Sequence, residues 1–354
     1  MSLALLNPIP QIDFAKYDKH LIEAHKRIAL LKGACYNLPN PHLLLNPTVM
    51  REALASSEIE NIITTLSNVL QAELLLEAEQ QPADKEVMRY NKALYIGLEL
   101  LKNIPLGNRI IVAVHDTLMP NEPGYRNDQN RLVNSDTNEV IYLPPTANDI
   151  PDLISDLELF LHNETDEVDP LIKTFIAHYQ FEAIHPFGDG NGRTGRILMV
   201  LCLKSYDLLD LPVLFISGYI NTHKAEYYSA LRGVTEKKDW DTYIAYMLAA
   251  FSEQAEKSTN TLLKIKELHD TTRRTIRNEL PKIYSRDLVD AIFNKPFFTP
   301  SAYAAKMSVT YQTASKHLKS LERLGIMSSH KIGRYNFFVN KALFELLSGD
   351  GAVG

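Results

Sequence analysis

Apolar residues recur at helical spacing along most of the chain, and two short stretches break into strand-like alternation. Leu21, Ile28 and Leu31 mark a first helix from Asp18 to about Lys32, which Gly33 is placed to stop. Asn46-Pro47 opens a second, whose stripe of Ile59, Ile62, Ile63 and Leu66 predicts helix through Ile63. Further helices are predicted over Ser67–Gln80, Pro82–Lys102 and Leu106–Leu118, with Val69, Leu70 and Leu74 on one packing face and Leu94, Leu98 and Leu101 on another. Leu132-Val133 and Val140–Leu143, separated by a polar turn at 134–138, read as a β-hairpin. A helix then runs from Asp149 or Asp152 through Leu161, and Asp169-Pro170 caps another ending at Ile184. After it come a helix from Ile197 to Leu203, one through Tyr227 to Gly233, and one from Trp240 to about Leu268.

Pro281 interrupts a charged helical stretch and marks a boundary. Beyond it the pattern reads helix (Arg286–Phe293), helix (Thr299–Lys306), turn, long helix (Thr310–Leu324), then two strands joined at Gly333-Arg334. The expected division is 1–110 for an N-terminal helical region, 111–255 for a core, 256–285 for a linker and 286–354 for a last unit.

With 354 residues, 45% hydrophobic and 23% charged, the chain suits a soluble, mainly α protein with a buried core. A net charge of −6 gives no overall pull toward nucleic acid or anionic membrane. Cys35 and Cys202 imply no disulfide framework. No apolar run approaches the roughly 20 residues that span a bilayer, and a cytoplasmic location is expected.

The chemistry concentrates in His185-Pro-Phe-Gly-Asp-Gly-Asn-Gly-Arg-Thr-Gly-Arg196, a Gly-rich loop between two apolar helices. Gly188, Gly190 and Gly192 permit positive φ, so that backbone N–H groups turn inward at a helix N-terminus and form an anion nest. Arg193 and Arg196 lie on one helix face and suit phosphate oxygens. Asp189 is a hard oxygen donor suited to a Mg²⁺ that bridges phosphates, and His185 is a base near neutral pH. Together these groups describe a phosphoryl- or nucleotidyl-transfer site. No Lys follows the glycines, so the loop is not a Walker A motif. His178, seven residues before His185, reads as a core histidine rather than a zinc ligand.

This stretch resembles the signature of Fic-domain AMP-transferases, His-Pro-Phe-x-Asp-Gly-Asn-Gly-Arg-x-x-Arg, at every defining position. The resemblance implies a mainly helical Fic-type fold and transfer of AMP from ATP to a Ser, Thr or Tyr hydroxyl of a target protein or of the chain itself. It also implies His185 as base, Asp189 on Mg²⁺, and ATP on Gly190, Asn191, Gly192, Arg193, Thr194, Gly195 and Arg196. The kinase branch of the family has Lys where this chain has Gly192.

Further positions take meaning from the same resemblance. By residues alone, Glu60 is a solvated carboxylate. Ser56-x-x-x-Glu60-Asn61 is similar to the family's inhibitory motif, which implies that Glu60 pairs in bidentate fashion with Arg196 and blocks the γ-phosphate seat. The hairpin is similar to the family's flap, so Val140, Ile141 and Tyr142 would dock an extended target segment by strand addition. Tyr227 and Tyr228 resemble a segment near the adenine. Adjacent helical residues point about 100° apart, which leaves structural roles equally open. The stretch 286–354 resembles a winged helix-turn-helix with Tyr311, Gln312, Ser315, Lys316 and Lys319 presented. DNA contact and protein docking both stay open there, and a homodimer is expected. Two other functions compete: an ATP-sensing transcriptional regulator, and a hydrolase that removes AMP with Glu60 positioning water.

Overall fold

The computed structural model describes residues 3–6, 9–38, 41–133 and 140–348. Its helices before the hairpin are α1 (Asp18–Tyr36), α2 (Pro41–Ile59), α3 (Leu66–Ala72), α4 (Pro82–Leu100) and α5 (Asn108–Leu118). Two short antiparallel strands follow, β1 (Leu132–Val133) and β2 (Val140–Tyr142). Then come α6 (Ile150–His162), α7 (Pro170–Ile184), α8 (Asn191–Ser205), α9 (Ile216–Thr222), α10 (Lys224–Lys237) and α11 (Trp240–Glu279).

Helices α7 and α8 form the centre: α7 and the second half of α8 are predominantly apolar, which leaves little face to offer water. The arginines of the first turns of α8 are buried against Glu86, Ser56 and Glu60. Leu171 to Phe181 and Arg193 to Leu203 are buried throughout. α5 and α4 pack on one side of this pair and α6 covers α7. α11 spans about 60 Å at about 1.5 Å per residue. It lies along α1, whose Ala24, Ile28 and Leu31 are fully buried.

After Pro281 come α12 (Arg286–Asn294), β3 (Phe297–Phe298), α13 (Pro300–Met307), α14 (Tyr311–Arg323), β4 (Ser328–Ile332), β5 (Tyr335–Val339) and α15 (Lys341–Ser348). The strands form an antiparallel sheet in the order β3-β5-β4. α12 and α15 pack against α2, and Lys295 and Arg334 reach carboxylates beyond it, Glu73 at 3.3 Å and Glu79 at 2.7 Å. Among the described residues no helix is long and apolar enough to cross a membrane.

Several expected boundaries move. α1 runs through Gly33 to Tyr36, because Ala34 and Cys35 are buried and packing outweighs the weak helix preference of glycine. α2 begins at Pro41, and ends at Ile59 rather than continuing through Ile63, which is 79% exposed. The helix expected over Ser67–Gln80 stops at Ala72. The chain then folds back, with Gln80 Nε2 donating to the Ala72 carbonyl at 2.9 Å. Residues 256–279, expected as a helical linker, are the second half of α11, whose buried Leu262, Ile265, His269, Thr272 and Ile276 continue its packing stripe. β3 and α15 carry no signal in the pattern of the last unit. The hairpin turn at 134–138 lies outside the described residues.

Candidate active site

α7 ends at His185, which adopts a left-handed conformation (φ 50°, ψ 58°). Few non-glycine residues take it. Within the loop only Gly190 among the glycines has positive φ, at 75°, so Gly188 and Gly192 are not there for that reason. The loop is held from inside. Asn191 Oδ1 accepts from the Phe187 N–H, and Asn191 Nδ2 donates to the Phe187 carbonyl, each at 2.9 Å. The Phe187 ring stacks flat on His115 at 3.6 Å, and His115 Nε2 meets the Asp189 carbonyl at 3.1 Å.

His185 Nδ1 donates to the Glu182 carbonyl at 3.3 Å. This leaves Nε2 as the lone-pair nitrogen. Burial pushes the imidazole down to about 4, with the nearby Arg126 guanidinium adding to the effect. The ring is therefore neutral at neutral pH and able to accept a proton. The backbone of His185 is fixed by a residue that sequence reasoning missed. Arg126 Nε donates to the His185 carbonyl at 2.9 Å, and its other nitrogens donate to the carbonyls of Asp128 (2.8 Å) and Pro145 (2.6 Å). One buried guanidinium thus joins the base to both ends of the flap region. Nothing in the spacing of a polar loop distinguishes such an arginine.

The first-turn amides of α8 precede its first intrahelical bond, from the Thr194 N–H to the Gly190 carbonyl at 3.0 Å. Asn191, Gly192 and Arg193 therefore present N–H groups with the positive end of the helix dipole. The Gly190 N–H is taken by Asp189 Oδ1 at 2.6 Å, and Asp189 is otherwise exposed. Thr194 and Gly195 differ from expectation. The Thr194 N–H is spent inside the helix, and Gly195 packs on α7, its carbonyl 3.2 Å from His178 Nδ1. Arg193 also departs from the expected clamp: Nη1 pairs with Glu86 of α4 at 2.9 Å and Nη2 rests on the Met119 sulfur.

Arg196 is 1% exposed. Nη2 lies 2.7 Å from Glu60 Oε1 and 2.8 Å from the Ser56 carbonyl, and Nε donates to Ser56 Oγ at 2.7 Å. The pair is therefore single-pronged rather than bidentate, with Ser56 taking the second prong. Burial works against the Arg196 charge, and the adjacent Glu60 more than restores it. Burial likewise raises Glu60, and Arg196 reverses this, leaving the carboxylate below its usual range.

The position of Glu60 follows from how α2 ends. The Ile62 N–H reaches back to the Ser57 carbonyl and the Asn61 N–H to Glu58, each at 3.0 Å, with Asn61 at φ 62°. This is a Schellman ending, which requires a left-handed residue at the position of Asn61. Glu60 is the last residue before it and hangs off the helix end, where the dipole disfavours a carboxylate. Arg196 offsets that cost.

The two tyrosines divide as their spacing allows. Tyr227 is buried, with its hydroxyl 2.7 Å from His178 Nε2, and packs in the core. Tyr228 is 42% exposed. Burial holds His178 at about 3, neutral and hydrogen-bonded. β2 pairs with β1 along one edge only, and Val140 and Ile141 are exposed. Tyr142 instead turns inward, donating to the Ala183 carbonyl at 2.7 Å. Glu182, also unforeseen, has an unpartnered Oε1, and burial raises its carboxyl to about 7.

Three family models match successive stretches: the Fic/DOC family N-terminal region over residues 19–99, the Fic/DOC family over 105–203, and the C-terminal domain of SoFic-like protein adenylyltransferases over 268–343. A probable protein adenylyltransferase of Aquifex aeolicus is 38% identical over 95 residues, 27% of this chain and 27% of that protein. Protein adenylyltransferase fic-1 of Caenorhabditis elegans is 31% identical over 109 residues, 30% of this chain and 20% of its own length. The match thus spans about a quarter of the curated relatives' length. Among solved structures, a Fic family protein of Desulfovibrio desulfuricans superposes with a TM-score of 0.58 over 90% of this chain and 95% of its own, at 20% identity. With the signature loop, the helical core around it and these successive matches, the chain belongs to the Fic/DOC family.

Proposed function

We propose that the protein is an adenylyltransferase that moves AMP from ATP to a hydroxyl of a target protein, and of itself, under restraint by Glu60. The observation that carries this reading is the placement of a neutral imidazole, with Nε2 free of partners among the described residues, beside a helix N-terminus whose amides await an anion. His185 takes the proton from the attacking hydroxyl as its oxygen bonds to the α-phosphorus, and pyrophosphate leaves in line. The amides of Asn191 and Gly192 and the guanidinium of Arg196 neutralise the triphosphate, and positioning of this kind supplies most of the acceleration. Asp189, exposed at the loop, would hold Mg²⁺ together with phosphate oxygens. Among the described residues no group of three His, Cys, Asp or Glu side chains gathers to hold a metal without them.

The free edge of β2 would take an extended target segment as an added strand. We read the last unit as a winged helix, with Tyr311, Gln312, Lys316 and Lys319 along α14. Its basic wing tip is engaged internally, Arg334 and the Tyr335 hydroxyl both meeting Glu79, which favours a docking role over DNA contact. A homodimer belongs to the same reading. The test is self-labelling with ATP tagged at the α-phosphate, in the Glu60→Gly background. Label is expected there and is expected to vanish in Glu60→Gly/His185→Ala. Equal labelling in the double variant would overturn the base assignment.

A further inference from the structure

A cavity of about 1220 Å³ lies between α2 and the last unit, with no residue of the signature loop in its lining. Arg51, Leu54 and Glu58 of α2 form one wall, and Lys331 of β4 and Phe344 of α15 line the other. A smaller cavity of about 200 Å³ adjoins it, and Arg51 and Phe215 line both. The charges at this place are unbalanced. Arg51, Lys331 and Lys341 line the larger cavity against two carboxylates, Glu58, which accepts from Asn221 Nδ2 at 2.6 Å, and Glu345, which pairs with Lys341 at 3.6 Å. Arg51 has no such partner among the described residues: its guanidinium rests over the Phe215 ring at 4.7 Å and makes no hydrogen bond or ion pair. Lys331 likewise faces no carboxylate there.

A half-buried arginine against an aromatic ring is a costly arrangement unless something anionic completes it, since its five donors stay unmet while water is partly excluded. Burial already lowers the Arg51 pKa. The remaining lining includes the apolar Leu54, Phe297 and Leu347. An unpartnered guanidinium on the wall of a largely apolar chamber matches an anion with a hydrophobic body.

We propose that this cavity binds such an amphipathic anion, a carboxylate, sulfonate or phosphate carrying an aromatic or aliphatic group, gripped at Arg51. The occupant acts on the catalytic centre through α2. Arg51 is on the same helix as Ser56, which receives Arg196, and the helix end that aims Glu60 lies beyond. The binding claim is independent of the adenylyl-transfer reading, and the regulatory claim rests on it.

The full chain is titrated with 8-anilinonaphthalene-1-sulfonate, followed by fluorescence. Saturable binding of one probe per chain is expected, weakened about tenfold in Arg51→Met by loss of a charge-assisted contact and less in Lys331→Ala. Binding in both variants equal to wild type, or unsaturable binding, overturns the site. Self-labelling is then measured with saturating probe. A change of about twofold or more is expected in wild type, with the concentration for half its effect moved up about tenfold in Arg51→Met, and an unchanged wild-type rate overturns the coupling. Should even Glu60→Gly fail to label under any condition, the adenylyl-transfer reading falls while the titration still decides the site.

Discussion

Glu60 Oε1 stands 2.7 Å from Arg196 Nη2, and it also fills the space beside Gly192, where an added Cβ would collide with that same oxygen. The carboxylate therefore engages the Arg196 guanidinium and fills the space beside the first turn of α8. Glu60→Gly should bind ATP more tightly by about tenfold or more, since one charge-assisted contact to a buried guanidinium is removed from competition. Calorimetry checks this, and self-labelling should rise alongside.

Asn61 offers a gentler handle on the same contact. Its φ of 62° suits Gly and Asn. A β-branched residue in that conformation is strained by roughly 1–2 kcal/mol. Asn61→Val should loosen the end of α2 and raise self-labelling, while Asn61→Gly should leave it restrained. Rates for the two variants, set beside wild type, test the role of the left-handed turn.

The pH response follows from burial of His185. Its pKa is lowered to about 4. The unfolded value lies near about 6.5. Between those values the unfolded chain binds the extra proton, so this residue's contribution to stability is complete above about pH 6.5 and is lost as the pH falls through about 4. Titration of the imidazole Cε1–H by NMR should place its midpoint at about 4. A midpoint at the unfolded value would mean that the ring is not shielded from water.

Arg126 should separate positioning from binding. Arg126→Met removes three donors from carbonyls and should lower stability by about 2 kcal/mol. Because Arg126 fixes the His185 carbonyl and the flap rather than the amides of α8, ATP affinity should stay within about twofold while labelling in the Glu60→Gly background falls at least about tenfold. Parallel calorimetry and labelling distinguish this from general unfolding.

The reach of sequence reasoning depended on whether a residue acts through local pattern. His185, Asn191 and Arg196 sit in one short stretch at fixed spacing, and the helical runs that flank them are predominantly apolar, so both loop and core were legible. Glu60 is 136 positions from its partner, and only the Ser56-to-Asn61 motif linked the two. Arg126 and Glu182 acquire meaning from tertiary contacts alone. At Thr194 and Gly195 a signature marks positions without saying which hold a ligand and which hold the helices together. The end of α1 shifted where burial overrode local propensity, and those of α2 and α3 where the chain turned back before the apolar pattern ran out.

The bare backbone at Gly192 has a wider implication. A substituent there and the acidic plug compete for one small volume, so a side chain at that point obliges the Glu60 carboxylate to shift. Gly192→Ala is thus the smallest change expected to unlock the protein while leaving every charged group in place.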